Sequence, residues 1–292
     1  MPQPSTDIVP ADWPTWSTPE PRVIRPLPGG LTNRSYLLAA GDRRLVLRLN
    51  ARDSAALDID RAAEAEALGR ANRAELCAPV VHNDPQHRYL VTEFIEGDTC
   101  QPDDPRHLDL LADLTADIHA LPAVRAHLQC QDKADTYWQA IDPAAAVYGD
   151  LLSLGDRVSD HLAAAEALCV RRTLCHNDLV AGNLVLSRGE TLRAIDWEYA
   201  AMGDPFFDIA LIVEEHCLDE NQQSRFLEGY LRRPVTAPDL ERLQHGRVVY
   251  RYLSLLWYAV RLTRYGQHQP ETEAIVSEGI TALNGFLQDS RR

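Results

Sequence analysis

Alternation of apolar and polar positions opens the chain. Arg22 to Leu27 and Arg34 to Ala40 read as strands joined by Pro28-Gly29-Gly30-Leu31-Thr32-Asn33, and Gly41-Asp42 turns the chain into a third strand, Arg44 to Leu49. Period-two spacing in that strand puts Leu45, Leu47 and Leu49 on one face and Val46 and Arg48 on the other. Asp58 to Asn72, rich in Ala, Leu and Glu, reads as a helix, and Tyr89 to Phe94 as a further strand ending in Glu93-Phe94-Ile95-Glu96-Gly97. The period then becomes helical, at Leu108, Leu111, Ala112, Leu114, Thr115 and Ile118, with His119 as a packed helical histidine. Residues 122–170 are helical in tone and carry no recognisable chemistry. Ile209 to Cys217, Gln222 to Arg232 and Pro238 to Tyr265 read as further helices. The last carries Tyr250, Tyr252, Trp257 and Tyr258, an aromatic stripe that is either core or the wall of a binding site. Residues 1–21, rich in Pro and polar groups, form an N-terminal arm, either pinned by Trp13 and Trp16 or disordered. The expected division is this arm, a sheet-rich unit at 22–97 and a helical unit at 98–292, with Gly97 and the polar run Asp98 to Asp104 marking the boundary.

Between the helical stretches lies LCHNDLVAGNLVLSRGETLRAIDWEYAAMGDPFFDIA, from Leu174 to Ala210. Leu184 to Leu186 and Leu192 to Ile195 read as two short strands around the turn Ser187 to Thr191. A hairpin there brings Asn183, just before one strand, close to Asp196, at the end of the other. Two oxygen ligands of this kind suit Mg²⁺, which takes few protein carboxylates beside substrate phosphates. Asp178 stands on the preceding loop, free to face a substrate. Protein kinases space the same parts as H-R-D-x-x-x-x-N followed by D-F-G. Here they read H-N-D-L-V-A-G-N and D-W-E, the second a departure.

HND-xxxx-N, IDWEYA and GDP-xx-D-xA together resemble the choline/ethanolamine kinase branch of the aminoglycoside-phosphotransferase-like kinases, and bacterial thiamine kinases share IDWEYA. The resemblance runs from about Arg22 to the helix around Trp257 and is strongest from Cys175 to Ala210. It implies an α+β, protein-kinase-like two-lobe fold: a small antiparallel sheet with one helix, then a mainly helical lobe. It implies ATP and Mg²⁺ as cofactors, with Asp178 orienting and deprotonating the substrate hydroxyl and Asn183 and Asp196 holding metal. Gly29, Gly30, Leu31, Thr32, Asn33 and Arg48 would hold phosphate, although a Gly pair between strands also reads as a plain turn. Glu64 or Glu66 would pair with Arg48, Glu64 matching the family better, while Glu93 and Ile95 would meet the nucleotide. His176 and Asp208 would support the loop by hydrogen bonds. Glu198, Glu215 and Trp257 would face the acceptor. Trp257 fits one of two family Trp positions, the other being replaced by Ser254 or Val260, and Val180 stands where animal choline kinases have Gln.

Charge sharpens this picture. With 29 Lys and Arg against 43 Asp and Glu, the net charge is −14, which argues against nucleic acid or an anionic membrane as partner. A cationic substrate is attracted by the same field. No apolar run approaches the ~18 residues of a membrane span. The N-terminus lacks the basic and apolar regions of a signal peptide. The six Cys are scattered without a C-x-x-C, so a cytoplasmic setting is expected. The expected partner is a small cationic alcohol, most simply choline or ethanolamine. Thiamine or an aminoglycoside remains open, as does a nucleotide-binding pseudokinase without turnover. The intact Asp178, Asn183 and Asp196 weigh against the last. Sequence leaves the oligomeric state and the choice of ATP over GTP open.

Overall fold

In the computed structural model the described residues are 8–28, 32–51, 59–188, 191–264 and 270–289. The chain first builds a five-stranded antiparallel sheet in the order β1-β2-β3-β5-β4. Its strands are β1 (Arg22–Leu27), β2 (Arg34–Ala40), β3 (Arg43–Leu49), β4 (Val80–Asn83) and β5 (Tyr89–Glu93). The β2–β3 register runs from Arg34 opposite Leu49 to Ala40 opposite Arg43. Gly41 closes that hairpin at φ +64°, a left-handed conformation that costs glycine nothing.

Period two assigns the faces as expected. Leu45 and Leu47 are fully buried in a cluster with Trp16, Leu38, Tyr89 and Val91. Trp16 donates from Nε1 to the Tyr89 hydroxyl at 3.2 Å, so this part of the N-terminal arm is pinned to the sheet. Val46 and Arg48 look the other way, into a cleft. Helix α1 (Arg61–Arg73) starts where Asp60 caps the amides of Ala62 and Ala63. Residue 58, the expected helix start, lies outside the described residues, as do Gly29, Gly30 and Leu31.

A short strand, β6 (Gly97–Thr99), leads out of the sheet and pairs with β8 (Leu184–Ser187), which pairs in turn with β9 (Leu192–Ala194). A Cβ on Gly97 would lie 2.2 Å from the Leu186 carbonyl oxygen, so only glycine permits this approach. A second two-stranded ladder joins β7 (Thr173–Cys175) to β10 (Ala201–Gly203). The remainder is helical: α2 (Pro105–His119), α3 (Cys130–Ala140), α4 (Tyr148–Leu168), α5 (Pro205–Glu215), α6 (Glu220–Leu231), α7 (Ala237–Arg264) and α8 (Pro270–Asp289). Helix α7 is the hub, packed against α3, α4, α5 and α8. Among the described residues no helix is long and apolar enough to cross a membrane.

Candidate active site

A cleft of about 600 Å³ separates the five-stranded sheet from the helical part. Val46, Arg48 and the connector at Glu93 and Ile95 line one side, and Asp178, Asn183 and Asp196 the other. The hairpin does what its spacing predicts: the Ile195 amide donates to the Asn183 carbonyl at 2.9 Å, holding the residues before β8 and after β9 side by side. Asn183 donates from Nδ2 to the Asp178 carboxylate at 2.7 Å and to its carbonyl at 2.9 Å. Asn183 thus keeps its Oδ1 for another partner. Asn177 and Asp196 adopt left-handed φ values of +64° and +63°, the local strain that often marks a functional loop.

The sheet side contributes a buried charge network. Arg48, 8% exposed, donates to Asp196 Oδ1 at 2.7 Å and pairs closely with Glu64. Burial opposes the Arg48 charge, but Glu64, Asp196 and Glu198 outweigh it and raise its pKa. Glu66 faces elsewhere, pairing with Arg70 and accepting from the Arg125 amide, so α1 offers Glu64 alone to Arg48. Arg61 extends the chain from Glu64 (2.8 Å) to Glu198 (2.9 Å). Glu198 lines the cleft, yet its Oε2 accepts from both Arg61 and Asn33 Nδ2, the latter at 2.7 Å. The carboxylate expected at the acceptor therefore brackets the loop before β2 to α1. Thr32 lines the cleft, whereas the Asn33 side chain is committed to this bracket. The Glu93 side chain, at the rim of the cleft lining, is paired with Arg43 at 2.5 Å.

Asp208, fully buried at the start of α5, braces the catalytic-type loop from behind. It accepts from the amides of His176 (2.8 Å) and Asn177 (2.6 Å), and His119 Nε2 lies 3.1 Å away. A carboxylate only accepts, so Nε2 carries a proton, and Nδ1 shares a hydrogen bond of 2.8 Å with the Tyr230 hydroxyl. The His176 ring works differently from expectation. Neither ring nitrogen makes a well-formed hydrogen bond among the described residues, although the Ile195 backbone is near enough to favour the charged ring, and the ring packs on Trp197 at 4.7 Å. Burial lowers its pKa, against the pull of Asp208 and Asp196. Loop support from His176 thus comes through its amide and its packing.

Beyond Asp178 the cleft becomes acidic and aromatic. The Tyr250 hydroxyl donates to Glu215 at 2.5 Å, Trp257 Nε1 donates to the Tyr199 hydroxyl at 2.9 Å, and Tyr258 meets Trp257 edge-on at 5.0 Å. Glu214 instead pairs with Arg247 and Arg251. Burial, then Asp196, Glu198 and Glu215, push the Asp178 carboxyl up to about 8, against the hydrogen bond from Asn183. Sequence reasoning missed Arg61, Tyr199 and Lys133, all placed at this site. Arg61 stands one turn before Glu64, a spacing that permits an ion pair. Tyr199 follows the IDWE string, but Lys133 carried no signal, because an isolated lysine in a helix reads as solvated.

The chain belongs to the phosphotransferase enzyme family, whose model matches residues 23–245. It is 28% identical over 240 residues to protein LicA of Haemophilus influenzae, covering 79% of this chain and 70% of that protein. It is 29% identical over 252 residues to thiamine kinase of Escherichia coli O1:K1, covering 82% of this chain and 83% of that enzyme. The crystal structure of choline kinase LicA from Streptococcus pneumoniae superposes with a TM-score of 0.76 at 23% identity, over 91% of this chain and 95% of that one. The fold is thus the α+β, protein-kinase-like arrangement that the motifs imply, and the chain is a phosphotransferase.

Proposed function

We propose that this phosphotransferase transfers the γ-phosphoryl group of ATP to the hydroxyl of a small cationic alcohol, with choline or ethanolamine first. The observation that carries this reading is the position of Asp178. It is hydrogen-bonded to Asn183, shares the cleft with the Arg48–Asp196 pair and with Tyr250 and Trp257, and is close enough to Asp196 and Glu215 to feel both charges. Residues 22–97 then serve as the nucleotide lobe and 98–292 as the catalytic and acceptor lobe.

Asp178 orients the acceptor hydroxyl and takes its proton as the oxygen bonds to phosphorus, the ADP oxygen leaving with the electron pair. Asn183, through its remaining carbonyl oxygen, and Asp196, through its carboxylate, fit Mg²⁺, which prefers hard oxygen ligands. When bound, Mg²⁺ supplies positive charge against the phosphate oxygens. Arg48 grips phosphate through its guanidinium, held in place by Glu64. The backbone at Glu93 and Ile95 meets the base, and Asp208 with the His176 amide holds the loop. Glu215 and Trp257 receive the acceptor's cationic head.

Thiamine is the second reading, supported by the match that spans 83% of a thiamine kinase. Choline and thiamine both join a hydroxyethyl group to a permanent cation. An ADP-release screen with Mg-ATP over choline, ethanolamine, thiamine, kanamycin and homoserine tests the proposal. Turnover led by choline, ethanolamine or thiamine supports it. A lead for kanamycin points to the aminoglycoside reading, and a lead for net-neutral homoserine contradicts the cationic-alcohol class. ATP binding by titration calorimetry without ADP release from any of them points to a non-catalytic binder.

A further inference from the structure

The acceptor end of the cleft already holds a cation. Lys133 lies on the inward face of α3, 7% exposed, and lines the cleft. Its Nζ stands 5.3 Å from the ring centroid of Tyr137, one turn along the same helix, and 5.2 Å from that of Tyr199. Tyr199 belongs to the reacting centre: its carbonyl accepts from Asn177 Nδ2 at 2.9 Å, and its hydroxyl accepts from Trp257. The Trp257 ring has a cation of its own, the Arg261 guanidinium at 4.9 Å. Aromatic faces within about 6 Å attract any cation, whether it comes from substrate or from the chain.

We infer that Lys133 is a specificity-determining residue of the acceptor pocket, an internal cation that holds the Tyr137 and Tyr199 faces and competes with a cationic acceptor for them. The inference rests on the cationic-acceptor reading. An entering ammonium either displaces Lys133, which must then find other solvation, or binds beside a like charge. Both routes weaken binding, and both penalise a permanent cation more than a neutral alcohol. Glu215 supplies attraction that offsets this, so the pocket weighs its carboxylate against the resident ammonium.

The test is calorimetric binding of tetramethylammonium, a cation without a hydroxyl, to the wild type and to Lys133→Met and Lys133→Arg. The acceptor and ATP KM values are measured alongside. Lys133→Met should bind tetramethylammonium about 2–30-fold more tightly, the range of one or two cation–π contacts. It should lower the KM of choline or thiamine in the same proportion and leave the KM of ATP unchanged. Lys133→Arg keeps the charge and should match the wild type. Lys133→Gln replaces the Met variant if that protein is not folded by circular dichroism. Equal or weaker tetramethylammonium binding by the neutral variant overturns the inference, as does no binding by any of the proteins. Failure of the cationic-acceptor reading shows elsewhere, as preferred turnover of an acceptor without a positive charge.

Discussion

Arg48 Nη1 lies 2.7 Å from Asp196 Oδ1, across 148 positions of sequence. This contact ties the middle of the sheet to the end of the β8–β9 hairpin. From Arg48 the charges alternate through Glu64 and Arg61 to Glu198, and Asn33 completes the path back to the loop before β2. The sheet side and the hairpin side of the cleft are therefore tied by one network rather than by separate contacts.

Glu64→Ala should expose how much that network carries. Both side chains of the Arg48–Glu64 pair are under a tenth exposed, so removal of Glu64 leaves buried positive charge with one carboxylate fewer. Losing one partner of a buried pair costs about 3–5 kcal/mol. Chemical denaturation should show a loss of that order, and the KM of ATP should rise because Arg48 is no longer aimed. Unchanged stability with unchanged KM would mean that Arg48 is held by Asp196 alone.

Asp196→Asn and Asn183→Ala should each raise the Mg²⁺ concentration needed for half-maximal rate. Each removes an oxygen ligand or its charge from a pair held side by side by the Ile195–Asn183 backbone bond. A Mg²⁺ titration of initial rates decides it, and unchanged midpoints in both variants would remove the metal assignment.

Asp178 makes the metal-free protein pH-sensitive in a defined direction. Its carboxyl is raised from 3.8 to about 8, by burial first and then by Asp196 and Glu198. Between these values the folded state holds a proton that the unfolded state has released, so stability falls as pH rises from about 4 to about 8. Asp178→Asn carries no such charge and should gain Tm over the wild type in EDTA. The gain should be small near pH 4 and largest above pH 8. A gain that shrinks as pH rises would mean that the folded state does not raise the Asp178 carboxyl.

Trp257→Ala should raise the acceptor KM by about 2–30-fold, the worth of a cation–π contact, and leave the KM of ATP nearly unchanged. Its ring is only partly buried and lines the cleft, whereas Tyr252 of the same helix is buried away from it. Equal shifts in both constants, with a lower Tm, would make Trp257 a packing residue.

Much of this fold is legible in sequence because strong local signals bound it. β1 to β3 alternate between turns containing glycine, and the HND and IDWE strings arrive in order with a hairpin between them. The segments β4, β6, β7 and β10 are three or four residues long, too short to show a period. The spacing of Val276, Ile280, Leu283 and Leu287 marks α8, and all four are buried, so that signal was available. The site divides in the same way. Asp178, Asn183 and Asp196 stand within one motif, so their proximity follows from a local hairpin. Glu198 reads as an open carboxylate because Asn33, its partner, is 165 positions away. Lys133 is legible only once α3 has been laid against Tyr199.

The turnover number of Asp178→Asn, measured with saturating Mg-ATP and the best acceptor, decides whether Asp178 is the base. Turnover should fall about 10²–10⁴-fold, the usual consequence of losing a general base, with ATP binding unchanged by calorimetry. Turnover within about threefold of the wild type, well below that range, would contradict it and remove Asp178 from the mechanism.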